Sequence, residues 1–281
     1  MMVKLSARRK SQLVTLLMVV VSLAMVFPIY IIFTNSFKSL REFYESPIQL
    51  PSALYLNNYD FVFGNVNYFR LLGNNMIVLT CSLALLIFTG AMAAYVIARR
   101  PTRLKKLIYL FFVFGITLPT FTMLVPQIKL IGQLGLKNNF LGLILLYGAM
   151  GMPMSLFLYN GFFSTVPKEL EESAKIDGCS FGKMFFKIFF PLSIPTTSTL
   201  ILLQTIAIWN DTVLPDLIMT YDSMKTLMPG LQTFYGRMLG QGTRWDYIYA
   251  FIVLCIVPII VLFFIVNRYL IRGVIEGALK G

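Results

Sequence analysis

Residues 165–191 read TVPKELEESAKIDGCSFGKMFFKIFFP, a polar and patterned stretch set between two long apolar runs. Ser164 or Thr165 is placed to cap a helix whose first turn takes Pro167, a position where a missing N–H is no loss. Glu169, Glu171 and Glu172 fall near the positive end of that helix. Glu171 and Lys175 are four apart in the favourable order for an ion pair, and Leu170, Ala174 and Gly178 mark a smoother side for close packing. Gly178 supplies a residue able to take the left-handed conformation that ends a helix. Residues 181–190 then read as a second short helix, and Pro191 opens the next apolar run. The expected product is a helix, a glycine turn and a helix, forming a compact knob on a short tether.

The rest of the chain places that knob. With 57% apolar and only 13% charged residues over 281 positions, the chain is too apolar for a soluble domain and reads as an all-α polytopic membrane protein. The formal charge of +12 does not point to nucleic acid, because the basic residues cluster at the ends of apolar runs. Cys81, Cys179 and Cys255 are far apart, so neither a disulfide framework nor a metal spacing is available. Histidine is absent, which removes imidazole acid–base chemistry and the common transition-metal sites.

Six apolar runs, near residues 13–33, 76–98, 107–130, 141–163, 188–208 and 248–266, have about the 20-residue length that spans a bilayer core. The first lacks the short core and small-residue cleavage site of a secretory signal, and is read as an uncleaved helix. Residues 34–72, polar and rich in aromatics, read as a folded extracytoplasmic loop. Pro119 and Pro126 are expected to kink the third span, for packing or as a bend lining a pathway. With the N-terminus inside, the inner segments hold four, five, four and three Lys or Arg, and the outer segments three, two and three. Both termini and the knob are therefore expected on the cytoplasmic side. No acidic residue falls in spans one to four or six as drawn, so a buried carboxylate relay is missing. No G-x-x-x-x-G-K-[ST] loop is present either, so the chain cannot hydrolyse ATP alone.

The knob resembles the EAA loop of the membrane subunits of ABC importers: E-A-A, three residues, G, nine residues, then I-x-L-P. Here the pattern is Glu172-Ser173-Ala174, three residues to Gly178, nine to Ile188, then Phe189-Phe190-Pro191, with Ser173 and Phe190 as the two departures. The wider form, and the ending Asn267-Arg268-Tyr269-Leu270-Ile271-Arg272-Gly273 through Gly277-Ala278-Leu279-Lys280-Gly281, is similar to the carbohydrate-importing, maltose-permease-like branch, second-subunit type. Pro229-Gly230-Leu231-Gln232 resembles that branch's P-x-G-L-Q. The resemblance implies a type I importer (MetI-like) fold of six transmembrane helices in a bacterial plasma membrane. It divides the chain into a stub, first helix and outer loop (1–71), a five-helix transport core (72–267) and a cytoplasmic tail (268–281). It implies a second homologous permease subunit, two ATPase subunits that bind ATP and magnesium, and an extracytoplasmic sugar-binding protein, with no cofactor in this chain. Glu171, Glu172, Ser173, Ala174, Asp177, Gly178, Ile188 and Pro191 are its expected coupling residues. Glu172 and Asp177 would hold the knob in place by polar contacts, Ala174 would keep it slim, and Leu279, Lys280 and Gly281 would touch the ATPases.

A pathway candidate lies at residues 204–216, QTIAIWNDTVLPD. A charge deep in the bilayer costs about 2.5 to 3.5 kcal/mol on insertion scales, so Asp211 should face water, a cavity or a partner. Trp209 offers a flat apolar face for sugar C–H surfaces, and Asn210 and Asp211 offer groups for hydroxyls. The stretch is similar to the family's W-N-[DE] followed by L-x-P. Equally open on the residues alone, Trp209 belongs to the interfacial aromatic belt and Asp211 caps a helix end. Gln127, Tyr147, Asn160 and Gln204 are further pathway candidates or inter-helix bridges. The functional expectation is an ATP-driven importer of a sugar or oligosaccharide. Its rivals are an ABC permease for a polyamine, phosphate or peptide, and an ion-driven secondary transporter or a membrane receptor.

Overall fold

A computed structural model describes residues 7–278, with side chains from residue 12 to residue 267. Its helices, in chain order, are α1 (Ala7–Asn35), α2 (Leu40–Glu45), α3 (Asn57–Asn65), α4 (Tyr68–Arg99), α5 (Arg103–Phe114), α6 (Leu124–Gln133), α7 (Phe140–Thr165), α8 (Lys168–Ile176), α9 (Phe181–Met184), α10 (Phe190–Leu192), α11 (Ile194–Asn210), α12 (Val213–Ile218), α13 (Leu227–Gly240) and α14 (Trp245–Ala278). Short 3₁₀ and π turns join some of them, and the described residues contain no strand.

Among the described residues, four helices are long and apolar enough to cross a membrane unbroken: Gln12–Asn35, Tyr68–Arg99, Phe140–Thr165 and Trp245–Asn267. The other two expected spans are bent pairs. Arg103–Thr117 meets Thr120–Gln133 at 105°, and Phe181–Leu192 meets Ile194–Asn210 at 69°.

Proline chemistry explains both breaks. Leu118, preceding Pro119, is extended at φ −77 and ψ 125, because the proline ring disfavours the helical region for the residue before it. The expected kink at Pro119 is therefore a full break, whereas Pro126 sits in the first turn of α6 and breaks nothing. At the second site, Pro191 has no N–H to offer the Lys187 carbonyl. The chain there widens into a π turn at Phe185–Phe189, with the Phe190 N–H bonding back to Phe185. The break itself falls at Ser193, between Pro191 and Pro195, so the apolar run expected to begin at Ile188 is continuous only from Ile194.

The chain forms two compact units. In the unit that holds residues 7–68 and 233–257, the segment after α1 is folded. Buried Asn58 donates to the carbonyls of Ser36 (2.9 Å) and Lys38 (2.8 Å), and buried Lys38 donates to the Ser46 carbonyl at 2.7 Å. Burial pushes the Lys38 ammonium below its ordinary pKa, against a weaker opposing pull from Glu42. Helix α14 begins three residues before the expected sixth span and takes fully buried Asp246 with it. That carboxylate is not a relay: Arg244 holds it at 2.7 Å while lying 3.8 Å over the Tyr247 ring.

In the unit of residues 69–232 and 258–278, α4 and α7 approach through small residues. A Cβ at Gly90 would overlap Ser155, and one at Gly151 would lie 2.6 Å from Leu86 Cδ2. The core continues from this crossing through Tyr95, Tyr159, Phe163, Phe185 and Phe189 to Ala174, which carries the apolar packing to the base of α8.

Candidate functional site

The knob is two-faced. Glu171 and Ala174 of α8 are buried, while Glu172, Ser173, Ile176 and Asp177 are exposed, Ile176 to 86%. Ser164 and Thr165 do not cap α8 as expected. Their hydroxyls donate back to Asn160 and Phe162 at the end of α7, and Pro167 stands at the N-cap without a side-chain bond. The other end is as expected. Gly178 is left-handed at φ +73, its N–H bonds the Lys175 carbonyl (3.0 Å), and the Cys179 N–H bonds the Ala174 carbonyl (2.9 Å). These paired bonds are those of a Schellman motif. Ser180 then caps the return helix through the Lys183 N–H.

Glu171 is the anchored carboxylate. Its two oxygens take Arg99 Nε at 3.0 Å and Lys175 Nζ at 2.8 Å. Burial pushes its pKa up, but the hydrogen bonds from Lys175 and Arg99 outweigh that and hold it below the ordinary carboxylate value. Within the chain, the anchoring expected of Glu172 and Asp177 thus falls to their neighbour, and those two present themselves outward. Ile188 is half-buried against the core under the knob, and Pro191 is exposed beside the Ser193 break.

Arg99 and Tyr95, which hold the knob from α4, are not singled out by motif or charge count. The Tyr95 ring stacks on Phe181 at 4.5 Å and touches Phe163, Phe185 and Phe189. In the sequence Arg99 is one of five clustered basic residues that set orientation. The signal that separates it is helical period: Ala91, Tyr95 and Arg99 follow at four-residue steps on one buried stripe.

A second feature is a cleft of about 540 Å³ in the same unit. Tyr147, Gln204, Asn210 and Asp211 give it polar groups, and Phe121 and Leu124, beside the Pro119 break, give it an apolar wall. None of its lining residues is basic. Asp211 both lines the cleft and caps α12: one oxygen accepts the Tyr147 hydroxyl at 2.9 Å, the other the N–H groups of Val213 and Leu214. Trp209 is 1% exposed and is not part of the cleft wall. It follows Ile208 on the inward face of α11, where an indole of its size fills the core. The expected tail contacts, Leu279, Lys280 and Gly281, lie outside the described residues.

The chain matches the description "Binding-protein-dependent transport system inner membrane component" over residues 86–276. It is 32% identical over 271 residues to the probable starch degradation products transport system permease protein AmyC of Thermoanaerobacterium thermosulfurigenes, covering 95% of this chain and 96% of that one. It is 33% identical to the melibiose/raffinose/stachyose import permease protein MelC of Bacillus subtilis, covering 98% and 99%. The fold is similar to a chain in the crystal structure of a bacterial ABC transporter involved in the import of the acidic polysaccharide alginate. The TM-score is 0.80 at 20% identity, covering 94% of this chain and 98% of that one.

Proposed function

Since the chain belongs to the family of binding-protein-dependent transport system inner membrane components, we propose that it is the permease subunit through which an ATP-driven importer passes a sugar or oligosaccharide. It works with the other components of an ABC system and a substrate-binding protein, and it is a transport component rather than an enzyme. We take residues 72–267 as the transport core. The further components are a second, related permease and two ATPase subunits that carry ATP and magnesium. The sugar cargo is supported by the named cargoes of its relatives, starch degradation products and melibiose, raffinose or stachyose. It is also supported by a cleft that joins an apolar wall to amide and hydroxyl groups and the Asp211 carboxylate, with no basic residue in its lining.

The observation that carries the mechanism is the division of α8 into a buried, clamped face and an exposed face that ends in the apolar Ile176. A rigid helix anchored at its base transmits displacement, where a flexible loop would absorb it. In the proposed cycle the exposed face sits in a groove of an ATPase subunit. Closure of the two ATPases draws the knobs of the two permeases together, and the bundle turns from inward-open to outward-open. Glu172, Ser173 and Asp177 supply polar contacts in the groove, and Leu279, Lys280 and Gly281 add a tail contact. Asn210 and Asp211 line the sugar's route, with Trp209 supporting them from behind.

The test is co-purification. Ile176→Asp should release the ATPases and abolish ATP-dependent uptake of a labelled neutral oligosaccharide into proteoliposomes. Uptake and ATPase binding at normal levels in that variant would refute the docking face.

A further inference from the structure

We propose that Arg99 is the positioning residue that locks the knob to the helix bundle, so that displacement of α8 reaches α4 and α7 together. The inference rests on the reading of α8 as the ATPase-docking element. Its basis is an inventory of donors. Arg99 Nε bonds Glu171 on α8 at 3.0 Å; Nη1 bonds the carbonyls of Val166 at 2.8 Å and Phe163 at 3.3 Å; Nη2 bonds the Pro167 carbonyl at 3.3 Å. The guanidinium also lies 4.9 Å from the centre of the Phe189 ring, in the π turn that leads toward α11. One side chain at the end of α4 thus joins the last turn of α7, the α7–α8 junction, α8 and the π turn that follows the return helix.

Two facts make this a joint rather than a surface ion pair. The Arg99 side chain is 5% exposed and that of Glu171 11%, so water competes little for either partner. Two of the carbonyls that Arg99 takes, those of Phe163 and Val166, belong to the C-terminal end of α7, where helical N–H partners run out, and the residue four after Phe163 is Pro167, which has no N–H. Without the fork, the short Val166–Pro167 junction is free to hinge, and a push on α8 is spent in bending it. Lysine cannot substitute, because a point ammonium reaches Glu171 or the carbonyls but lacks the fixed planar fork that reaches both.

The experiment uses the whole transporter, with its partner permease, ATPases and binding protein, in proteoliposomes, and reads sugar imported per ATP hydrolysed. That ratio does not depend on how much complex folds. Arg99→Gln and Glu171→Gln should each lower it about tenfold, the double variant should be no worse than the lower single, and Arg99→Lys should stay near Arg99→Gln. If Arg99→Gln does not assemble, Glu171→Gln, which keeps the side-chain shape, carries the test. A ratio within about twofold of wild type in Glu171→Gln, or full recovery by Arg99→Lys, would overturn the proposal. Ile176→Asp separates the two readings. Loss there with a normal Glu171→Gln refutes the lock alone, and normal coupling in Ile176→Asp refutes the docking face and the lock with it.

Discussion

Tyr147 on α7 donates its hydroxyl to Asp211 at 2.9 Å, while the other oxygen of the same carboxylate accepts the N–H of Val213 at 2.9 Å. Asp211 is therefore both cleft wall and helix cap, and two substitutions separate the roles. Asp211→Asn keeps an acceptor for the cap and removes the charge. Asp211→Leu removes both, and should cost about 0.5–2 kcal/mol of stability. Thermal unfolding in detergent should show Asn close to wild type and Leu lowered. With its carboxylate and no basic lining residue, the cleft repels anions. Asp211→Asn should therefore pass uronate-bearing oligosaccharides better than wild type in a vesicle uptake assay, relative to a neutral sugar.

Gly178 turns the chain at φ +73 with open space where a Cβ would stand, so a substitution there is a matter of backbone conformation and not of collision. Asparagine tolerates the left-handed region and a β-branched residue does not. Gly178→Asn should couple normally. Gly178→Val carries about 1–3 kcal/mol of backbone strain and should insert in the membrane yet hydrolyse ATP without matching sugar uptake. Parallel uptake and phosphate-release assays check it.

The α4–α7 crossing allows a swap. Alanine at Gly90 would overlap the Ser155 side chain, an overpacking worth about 1–3 kcal/mol. Gly90→Ala should lower the thermal midpoint in detergent. Adding Ser155→Gly should restore most of the loss, because it removes the atoms the new methyl meets.

Glu171 also predicts a pH dependence. Its folded pKa lies below the ordinary value of 4.5, because the hydrogen bonds from Lys175 and Arg99 outweigh burial. A depressed carboxylate stabilises the folded form above its unfolded pKa and loses that contribution as pH falls below 4.5 toward the folded value. Hydrogen exchange in α8, corrected for the chemical rate, should show protection falling on acidification through that window. Glu171→Gln should show the lower protection throughout.

What the sequence makes legible here is local and periodic. The Glu171–Lys175 pair, the Gly178 turn and the apolar runs depend on residues within a few positions of one another. Where the outcome depends on residues far apart in the chain, single-sequence reading falls short. Arg99 looks like one more inside-facing charge until Phe163, 64 residues later in the last turn of α7, offers it a carbonyl. Trp209 reads as a sugar platform until its neighbours close over it. The two breaks lie between these cases: Pro119 and Pro191 announce a disturbance, but only packing decides whether it becomes a kink, a π turn or a sharp bend. Asp246 shows the limit of drawing spans by hydropathy alone, since an N-terminal ion pair let its helix start earlier than its apolar run.

For a separate ATPase to move it, α8 must face the cytoplasm. The most direct test of this is the substitution Ile176→Cys in a chain whose Cys81, Cys179 and Cys255 have been replaced, so that one thiol remains. Intact cells are treated with a membrane-impermeant thiol reagent, in parallel with opened membranes stripped of ATPase. A cytoplasmic α8 leaves intact cells unlabelled and the stripped membranes fully labelled; labelling of that single thiol in intact cells would put α8 on the other side of the membrane and rule out the docking.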